Sequence, residues 1–464
     1  MVGTIRQTSD LLRGGELRAC ALLESALAAV AQCEPTLRAY SYVPADGARR
    51  AAELADRELA TGRWRGPLHG IPVTIKDVID TADAPTEAGS RALAGRRPER
   101  DATVVRLLRE AGAVVLGKTV THEFAYGQNT LATRNARDPL REPGGSSAGS
   151  AVTVAAGAVP VALGTDTGGS VRAPASLNGV VGLKPTYGRI SRHGVFPVSP
   201  TLDAVGILAG TAWDVAAVLT VLAGRDEHDP TTLDEPHGDY ILGLDEPING
   251  LRVGVVRELV EQPSAEEQVQ AAVTSSLRLL GELGATLIDV DGAFFADAAT
   301  IGMAISLVDA ATVHERLVAE RGDSYDPGTR AMIDAGNLVS GPEYVRALRA
   351  RSRLIGGLRA LFGRERLDVL ALPSLPCVAP PAGELAADML GGQPNSLAAF
   401  LRYQFLANVA GRPAVSVPCH AQRGLPVGLQ LIGRPLAEHL LLRINHQHDE
   451  AIKSAIDREG AGYA

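Results

Sequence analysis

Residues 144–186 read GGSSAGSAVTVAAGAVPVALGTDTGGSVRAPASLNGVVGLKPT, and no other stretch limits the possible folds so strongly. Two Gly-Gly-Ser clusters, with Ser146 in the first and Ser170 in the second, flank the apolar run VPVALG. That run is short and bounded by turn residues, which is the pattern of a buried strand. A helix can start after Ser170, with Pro174 in an early turn where its missing N–H goes unused. A glycine-rich turn leaving a strand can gather backbone N–H groups around one point, where they stabilise negative charge.

Three chemistries could use such a turn. A phosphate-binding loop needs a lysine directly after its glycines, and none follows here. The Asp-Thr-Gly at 166–168 matches an aspartic protease, but that chemistry needs a second carboxylate from a comparable element, and no other DTG or DSG occurs. In the third, the N–H groups of Thr167, Gly168, Gly169 and Ser170 hold a developing oxyanion while Ser170 attacks.

A serine hydroxyl needs a base to act as a nucleophile near neutral pH. The ten histidines form no HExxH pattern, and a Ser-His-Asp triad stays open because its members need not be close in sequence. His446 and His448 read as a solvated pair rather than a metal site. Lys76 is the stronger candidate base. It lies in IPVTIKDVI, a β-branched run that reads as a buried strand. A buried ammonium costs several kcal/mol unless it is paired or neutral. To work as a base near pH 7 the lysine must titrate roughly three pH units below its ordinary value, worth about 4 kcal/mol, which burial can supply. The alternative is an edge-strand lysine that reaches solvent. Lysine is a rare choice in this chain: of 45 basic residues only Lys76, Lys118, Lys184 and Lys453 are lysine, and the other 41 are arginine.

The rest of the chain is of ordinary globular composition. With 464 residues and 45% hydrophobic content it can bury a large core. A net charge of -8 and 4% aromatic residues offer neither a basic face nor a stacking platform, so nucleic acid is not an expected ligand. Cys20, Cys33, Cys377 and Cys419 lack CxxC spacing and read as free thiols of a reducing compartment, which points to the cytoplasm. The first twenty residues lack the apolar core of an export signal. Pro143–Thr165 is long and uncharged but rich in Gly, Ala and Ser, so no membrane span is expected.

Apolar spacing predicts helices over residues 9–60, and a helix, a glycine and a strand in VVRLLREAGAVVLGKT. LRVGVV, LDVLALP and AVSVP read as further strands, giving an α/β protein. Residues 224–250 are acidic and rich in Pro and Gly, as expected of a surface linker. Residues 265–365 read as mostly helical, with Tyr344, Leu348 and Leu354 as a core-facing stripe. A single domain over 1–464 is expected, with an N-terminal helical region to 65, a core at 66–223, the linker, and a remainder at 251–464 that includes a helical region at about 290–400.

GPLHGIPVTIKDVIDT around Lys76, GGSSAGSA at 144–151 and GTDTGGSVRAPASLNGVVGLKPTYGRISRHG at 164–194 together resemble the amidase signature family. The resemblance continues to SVPCHAQRGLPVGLQLIGRP near the C-terminus. It implies an α/β fold with a large mixed sheet covered by helices on both faces, and a Ser-cisSer-Lys triad needing no metal or cofactor. Ser170 would be the nucleophile, Ser146 the bridging serine after a cis Gly145–Ser146 peptide, and Lys76 the base. The implied activity is hydrolysis of a small-molecule carboxamide through an acyl-enzyme. A glutaminase (A-type) subunit of a tRNA-dependent amidotransferase and a non-catalytic protein retaining the fold are the alternatives. Asp166 and Arg172 flank the nucleophile turn and are expected to pair and brace it. Ala125 and Ser146 are expected at the substrate, and a homodimer is left open.

Some residues depart from the family pattern. Ala148-Gly149 stands where many relatives have Gly-Gly, Asn178 stands at a common cysteine, and the loop at 124–138 looks shortened. Ala173 and Leu177-Asn178 look unlike those of the amidotransferase glutaminase. Phe294, Phe295 and Met303 are candidates for either pocket wall or core, and Arg346, Arg349 and Arg351 are candidate partners for a substrate carboxylate, with one or two of them expected as surface charges.

Overall fold

The structure is a computed structural model that describes residues 2–127, 131–262, 265–384, 396–419 and 424–461. Within these residues eleven strands form one sheet: β1 (Tyr40–Tyr42), β2 (Pro72–Lys76), β3 (Val114–Thr119), β4 (Val161–Asp166), β5 (Val181–Lys184), β6 (Ala204–Ala209), β7 (Arg252–Val255), β8 (Thr286–Asp289), β9 (Val369–Pro373), β10 (Ala414–Cys419) and β11 (Val427–Gly433). Their order across the sheet is β1-β3-β2-β4-β6-β5-β10-β11-β9-β7-β8. The sheet is mixed. β3, β2 and β4 run parallel, as do β9, β7 and β8, while the strands between them pair antiparallel.

The helices are α1 (Ile5–Gly14), α2 (Ala19–Leu37), α3 (Ala45–Ala60), α4 (Thr103–Glu110), α5 (Ala148–Ala155), α6 (Arg172–Asn178) and α7 (Ala212–Leu222) in the first half of the chain. In the second half they are α8 (Arg257–Val260), α9 (Glu267–Glu282), α10 (Ala293–Arg321), α11 (Pro327–Gly336), α12 (Gly341–Arg364), α13 (Leu397–Val409) and α14 (Glu438–Ala461). They cover both faces of the sheet, and alternation along β9 shows how. Val369 and Ala371 point into one hydrophobic core while Leu370 and Leu372 point into another, as a period of two requires. A strand buried on both faces reads as a continuous apolar run, which is why LDVLALP was legible as a strand.

The strands expected from β-branched runs, β2, β3, β4, β7, β9 and β10, are all present. β1, β5, β6, β8 and β11 were not anticipated. β1 and β8 are the edge strands, short and partly exposed, and neither carries a long apolar run. No strand or helix falls within 224–250. Leu354 is buried in the second core, with Tyr344 and Leu348 packed against it. α10 is apolar and long enough to cross a membrane by length and composition, yet Phe295, Ala298 and Ile305 pack into that same core and it buries Asp309 and His314.

His446 and His448 are a correction to the sequence reading. Both are buried on α14 rather than solvated, and His446 Nε2 lies 2.9 Å from Asp245 Oδ1. Asp245 and Leu244 meet this helix at His446 and Gln447. All four cysteines are free, with Cys377 and Cys419 buried and Cys20 and Cys33 half-buried.

One ion pair ties the second half of the chain to the first. The Arg172 guanidinium, fully buried at the start of α6, meets Asp166 through Nε at 3.0 Å and Nη2 at 2.8 Å. Its Nη2 also donates to Asn408 Oδ1 at 2.6 Å, and its Nη1 donates to Gln404 O at 3.0 Å and to Gln430 Oε1. α6, α13, β4 and β11 therefore converge on one side chain. Removing one member of a buried ion pair leaves the other charged and unpaired, at a cost of about 3–5 kcal/mol. Arg172→Met is expected to lower the unfolding free energy by about that amount in urea titrations; a change below about 1 kcal/mol would contradict this account.

Candidate active site

The site forms where two neighbouring parallel strands end. β2 finishes at Lys76 and β4 at Asp166, so both chains leave the sheet at the same edge. The turn at 167–171 leads from β4 into α6, and the turn at 144–147 leads into α5. The two turns are joined by Ser147 N–H donating to Ser170 O at 3.1 Å. The Gly145–Ser146 peptide is cis.

Lys76 is completely buried, and its Nζ is surrounded by hydroxyls. It lies 2.8 Å from Ser146 Oγ, 3.0 Å from Ser147 Oγ and 2.8 Å from Thr165 Oγ1. Among the described residues no carboxylate is in contact with it. Burial therefore dominates and pushes its pKa down to about 7, against the weaker pull of the Asp166 and Asp203 charges. In the neutral amine one of these hydroxyls can donate to the nitrogen lone pair, so the same geometry suits a proton acceptor. Ser147 and Thr165 were not singled out in the sequence. Ser147 Oγ also donates to Thr165 O at 3.2 Å and so fixes the first turn to β4.

Asp166 organises the second turn. Its carboxylate accepts from Gly169 N–H at 2.9 Å and from Val171 N–H at 3.2 Å, besides Arg172. Burial alone would raise its pKa, but Arg172 and Asn408 outweigh that and hold the carboxyl well below the usual range. The expected pairing of Asp166 with Arg172 is thus present. The expected set of four N–H donors needs correction, because Gly169 N–H is already committed to Asp166. Among the described residues, the N–H groups of Thr167, Gly168 and Ser170 donate to no protein acceptor. Thr167 Oγ1 donates to Asp203 Oδ1 at 2.6 Å, which anchors the turn from the other side. Burial pushes the Asp203 carboxyl up to about 6.

Ser146 and Ser170 open into one pocket together with Thr167, Gly168 and Gly169. No hydrogen bond joins the two serine hydroxyls; such contacts are often loose without substrate and tighten in its presence. Ala125 lines this pocket as expected, and so do Met303, Met332, Phe400, Leu401 and Phe405. Phe295 instead belongs to the core, with Phe294 packed on it. Of the three candidate arginines of α12, two are surface charges and the expectation of a substrate carboxylate partner is not met. Arg346 and Arg349 are exposed, and Arg351 donates to Val409 O at 2.8 Å; none reaches the pocket. Among the described residues the lining contains no Asp, Glu, Lys or Arg. Charged groups gather instead in a separate cavity across Thr167, where Arg192, Asp203 and Asp229 are found. His122, also missed in the sequence, lines the pocket beside Gly145. No group of three or more His, Cys, Asp or Glu among the described residues is placed to hold a metal ion.

Comparison with known proteins agrees with this arrangement. The amidase family profile matches residues 21–442, and the chain belongs to that family. It is 40% identical to the A-type subunit of the glutamyl-tRNA(Gln) amidotransferase of Chloroflexus aurantiacus, over 95% of each chain. It is also 40% identical to an amidase of Pseudomonas putida, over 97% of this chain and 96% of that one. Among solved structures, the peptide amidase of Stenotrophomonas maltophilia superposes with a TM-score of 0.82 at 32% identity, covering 97% of this chain and 96% of that one. 6-Aminohexanoate cyclic dimer hydrolase, solved with its substrate, superposes with a TM-score of 0.87 at 29% identity, covering 97% of each chain. Hydrolysis of amide C–N bonds is the chemistry these relatives share.

Gly169 has φ +108°, and a Cβ there would press into the Gln404 side chain at 2.6–3.0 Å. Gly169→Ala is therefore expected to cost about 1–3 kcal/mol and to disturb the Thr167–Ser170 turn. Thermal unfolding together with the rate of labelling by a fluorophosphonate checks this, and wild-type values in both would contradict it.

Proposed function

We propose that the protein is an amidase that hydrolyses an uncharged small-molecule carboxamide through an acyl-enzyme on Ser170. The observation that carries this reading is the pocket around Ser146 and Ser170, apolar over most of its wall and without a charged side chain among its described residues. Neutral Lys76 takes a proton from Ser146, which takes one from Ser170 as Ser170 Oγ attacks the carbonyl carbon. The N–H groups of Thr167, Gly168 and Ser170 receive the oxyanion. Ser146 then returns a proton to the leaving nitrogen and is reprotonated by Lys76. The C–N bond breaks, the amine departs, and water hydrolyses the ester by the same relay. Serine can bridge because its hydroxyl both donates and accepts. Asp166 and Arg172 support the turn without touching the substrate.

A second reading is favoured by the 40% identity to the amidotransferase glutaminase, namely release of ammonia from glutamine for a partner enzyme. Free glutamine carries an ammonium and a carboxylate, and each would need a partner once out of water, or cost several kcal/mol. The described pocket lining supplies none, which supports the first reading. Neither likeness supports a homodimer. A cytoplasmic setting is part of this proposal, in keeping with four unpaired cysteines.

The experiment is ammonia release over a panel of carboxamides, with glutamine included. Turnover of apolar amides and none of glutamine is expected, and the reverse would establish the second reading. A fluorophosphonate should label the wild type and not Ser170→Ala; equal labelling would remove Ser170 from the mechanism. Lys76→Arg should fold normally yet lose turnover, because arginine stays protonated at any working pH. Only neutral Lys76 can accept the proton, so kcat/KM should rise with pH through about 7. It should be roughly tenfold below its plateau one pH unit lower. A flat profile between pH 5.5 and 8.5 would exclude Lys76 as the base.

A further inference from the structure

His122 precedes a 3-10 turn at Glu123–Ala125 and turns its ring toward the nucleophile loops. The imidazole packs so closely on Gly145 that a Cβ at that position would collide with Cε1 and Nδ1. Gly145 directly precedes Ser146, so the ring sits against the loop that carries the bridging serine. No described residue hydrogen-bonds either ring nitrogen, although the ring lines the pocket. Burial and the nearby Lys76 push its pKa down to about 4, so near neutrality the ring keeps one donor and one acceptor nitrogen.

The two sides of a scissile amide can be assigned from this geometry. The leaving nitrogen must approach Ser146, the group positioned to return its proton. The acyl part is then left to the apolar remainder of the lining, which includes Met303, Phe400, Leu401 and Phe405. The amine side therefore faces His122. A primary carboxamide has a second N–H that the nucleophilic serines do not use, and an unmet donor in such a site loses much of its binding energy.

We propose that His122 is a substrate-contacting specificity residue: its free ring nitrogen accepts the second N–H of a primary carboxamide and so selects –CONH2 over N,N-dialkyl amides and esters of the same acid. The proposal rests on the acyl-enzyme reading above and extends it to the amine side.

The test compares kcat/KM for the primary amide, the N,N-dimethyl amide and the methyl ester of one apolar acid, in wild type, His122→Ala and His122→Asn. Thermal unfolding confirms that each variant is folded. His122→Ala is expected to lower the amide-to-ester ratio by about 10- to 100-fold, the loss typical when a built hydrogen-bond partner is removed. His122→Asn, which restores an acceptor, should recover part of that ratio. Should His122→Ala fail to fold, the Asn variant and the wild-type preference for the primary over the dimethyl amide carry the test. A ratio within twofold of wild type in a folded variant overturns the proposal, as does a wild type that hydrolyses the dimethyl amide as fast as the primary amide. Loss of all labelling by a fluorophosphonate in Ser170→Ala would persist in either case, so failure here is distinct from failure of the acyl-enzyme reading.

Discussion

The Asp166–Arg172 pair is the interaction on which the rest of the site depends. Both side chains are wholly removed from solvent, and the desolvation cost of such a pair is recovered only when nearly every remaining lone pair and proton is satisfied. Here that condition fixes the architecture. Arg172 reaches α13 through Gln404 and Asn408 and β11 through Gln430, while Asp166 gathers N–H groups of the 167–172 turn. The 167–171 turn is thus held from behind by an ionic network and from its flank by Thr167 on Asp203. Elements more than 230 residues apart in sequence meet at this one guanidinium.

Three of the four lysines are fully buried, and the contrast among them explains why only one suits proton transfer. Lys118 has Asp77 at 3.4 Å and donates to the Ile79 carbonyl and to Thr86, so its charge is compensated. Lys184 donates to Pro185 O and lies near Arg172, Asp166 and Glu438, away from the pocket, where burial pulls its pKa down to about 7. Of the three, Lys76 alone faces two serines and a threonine, and one of those serines, Ser146, lines the pocket. Lys184 has a similarly lowered basicity but is not among the described residues that line the pocket or contact Ser146. Position, and not basicity by itself, separates the two.

The sequence made the frame of this site legible and left its second ring obscure, for physical reasons. β2 and β4 were readable because buried strands carry continuous apolar runs, and Ser170 and Lys76 stood out as candidates because glycine-rich turns and a lysine inside such a run are rare combinations, whereas the bridging part given to Ser146 came from the family resemblance alone. The pairing of Asp166 with Arg172 was inferable because six residues across one turn constrain both ends. Ser147 and Thr165 were hidden, since a hydroxyl beside a buried amine looks like any other hydroxyl until β2 and β4 are paired. His122 was hidden for the same reason: only folding brings it against Gly145. The expectation about Gly169 N–H failed because the turn's own carboxylate claims that donor, which depends on local dihedral angles that spacing does not encode. For the candidate arginines of α12 only the surface-charge expectation held, because a helical stripe predicts which face is buried, not which cavity it borders.

The absence of charge among the described pocket residues and the lowered pKa of Lys76 are one constraint seen from two sides. A carboxylate placed there to bind a cationic substrate would stabilise the lysine ammonium and raise its pKa, removing the neutral form near pH 7. An arginine placed there to bind an anionic substrate would lower it further and weaken the lysine as a base. Water drawn in by either charge would raise the local dielectric and weaken the pull of the Thr167, Gly168 and Ser170 N–H groups on an oxyanion. On the proposed reading, Met303, Phe400, Leu401 and Phe405 therefore do more than select an apolar acyl group. In that reading they keep the medium in which a lysine can serve as the base, and the same medium would let the polar contacts on the amine side decide between one uncharged substrate and another.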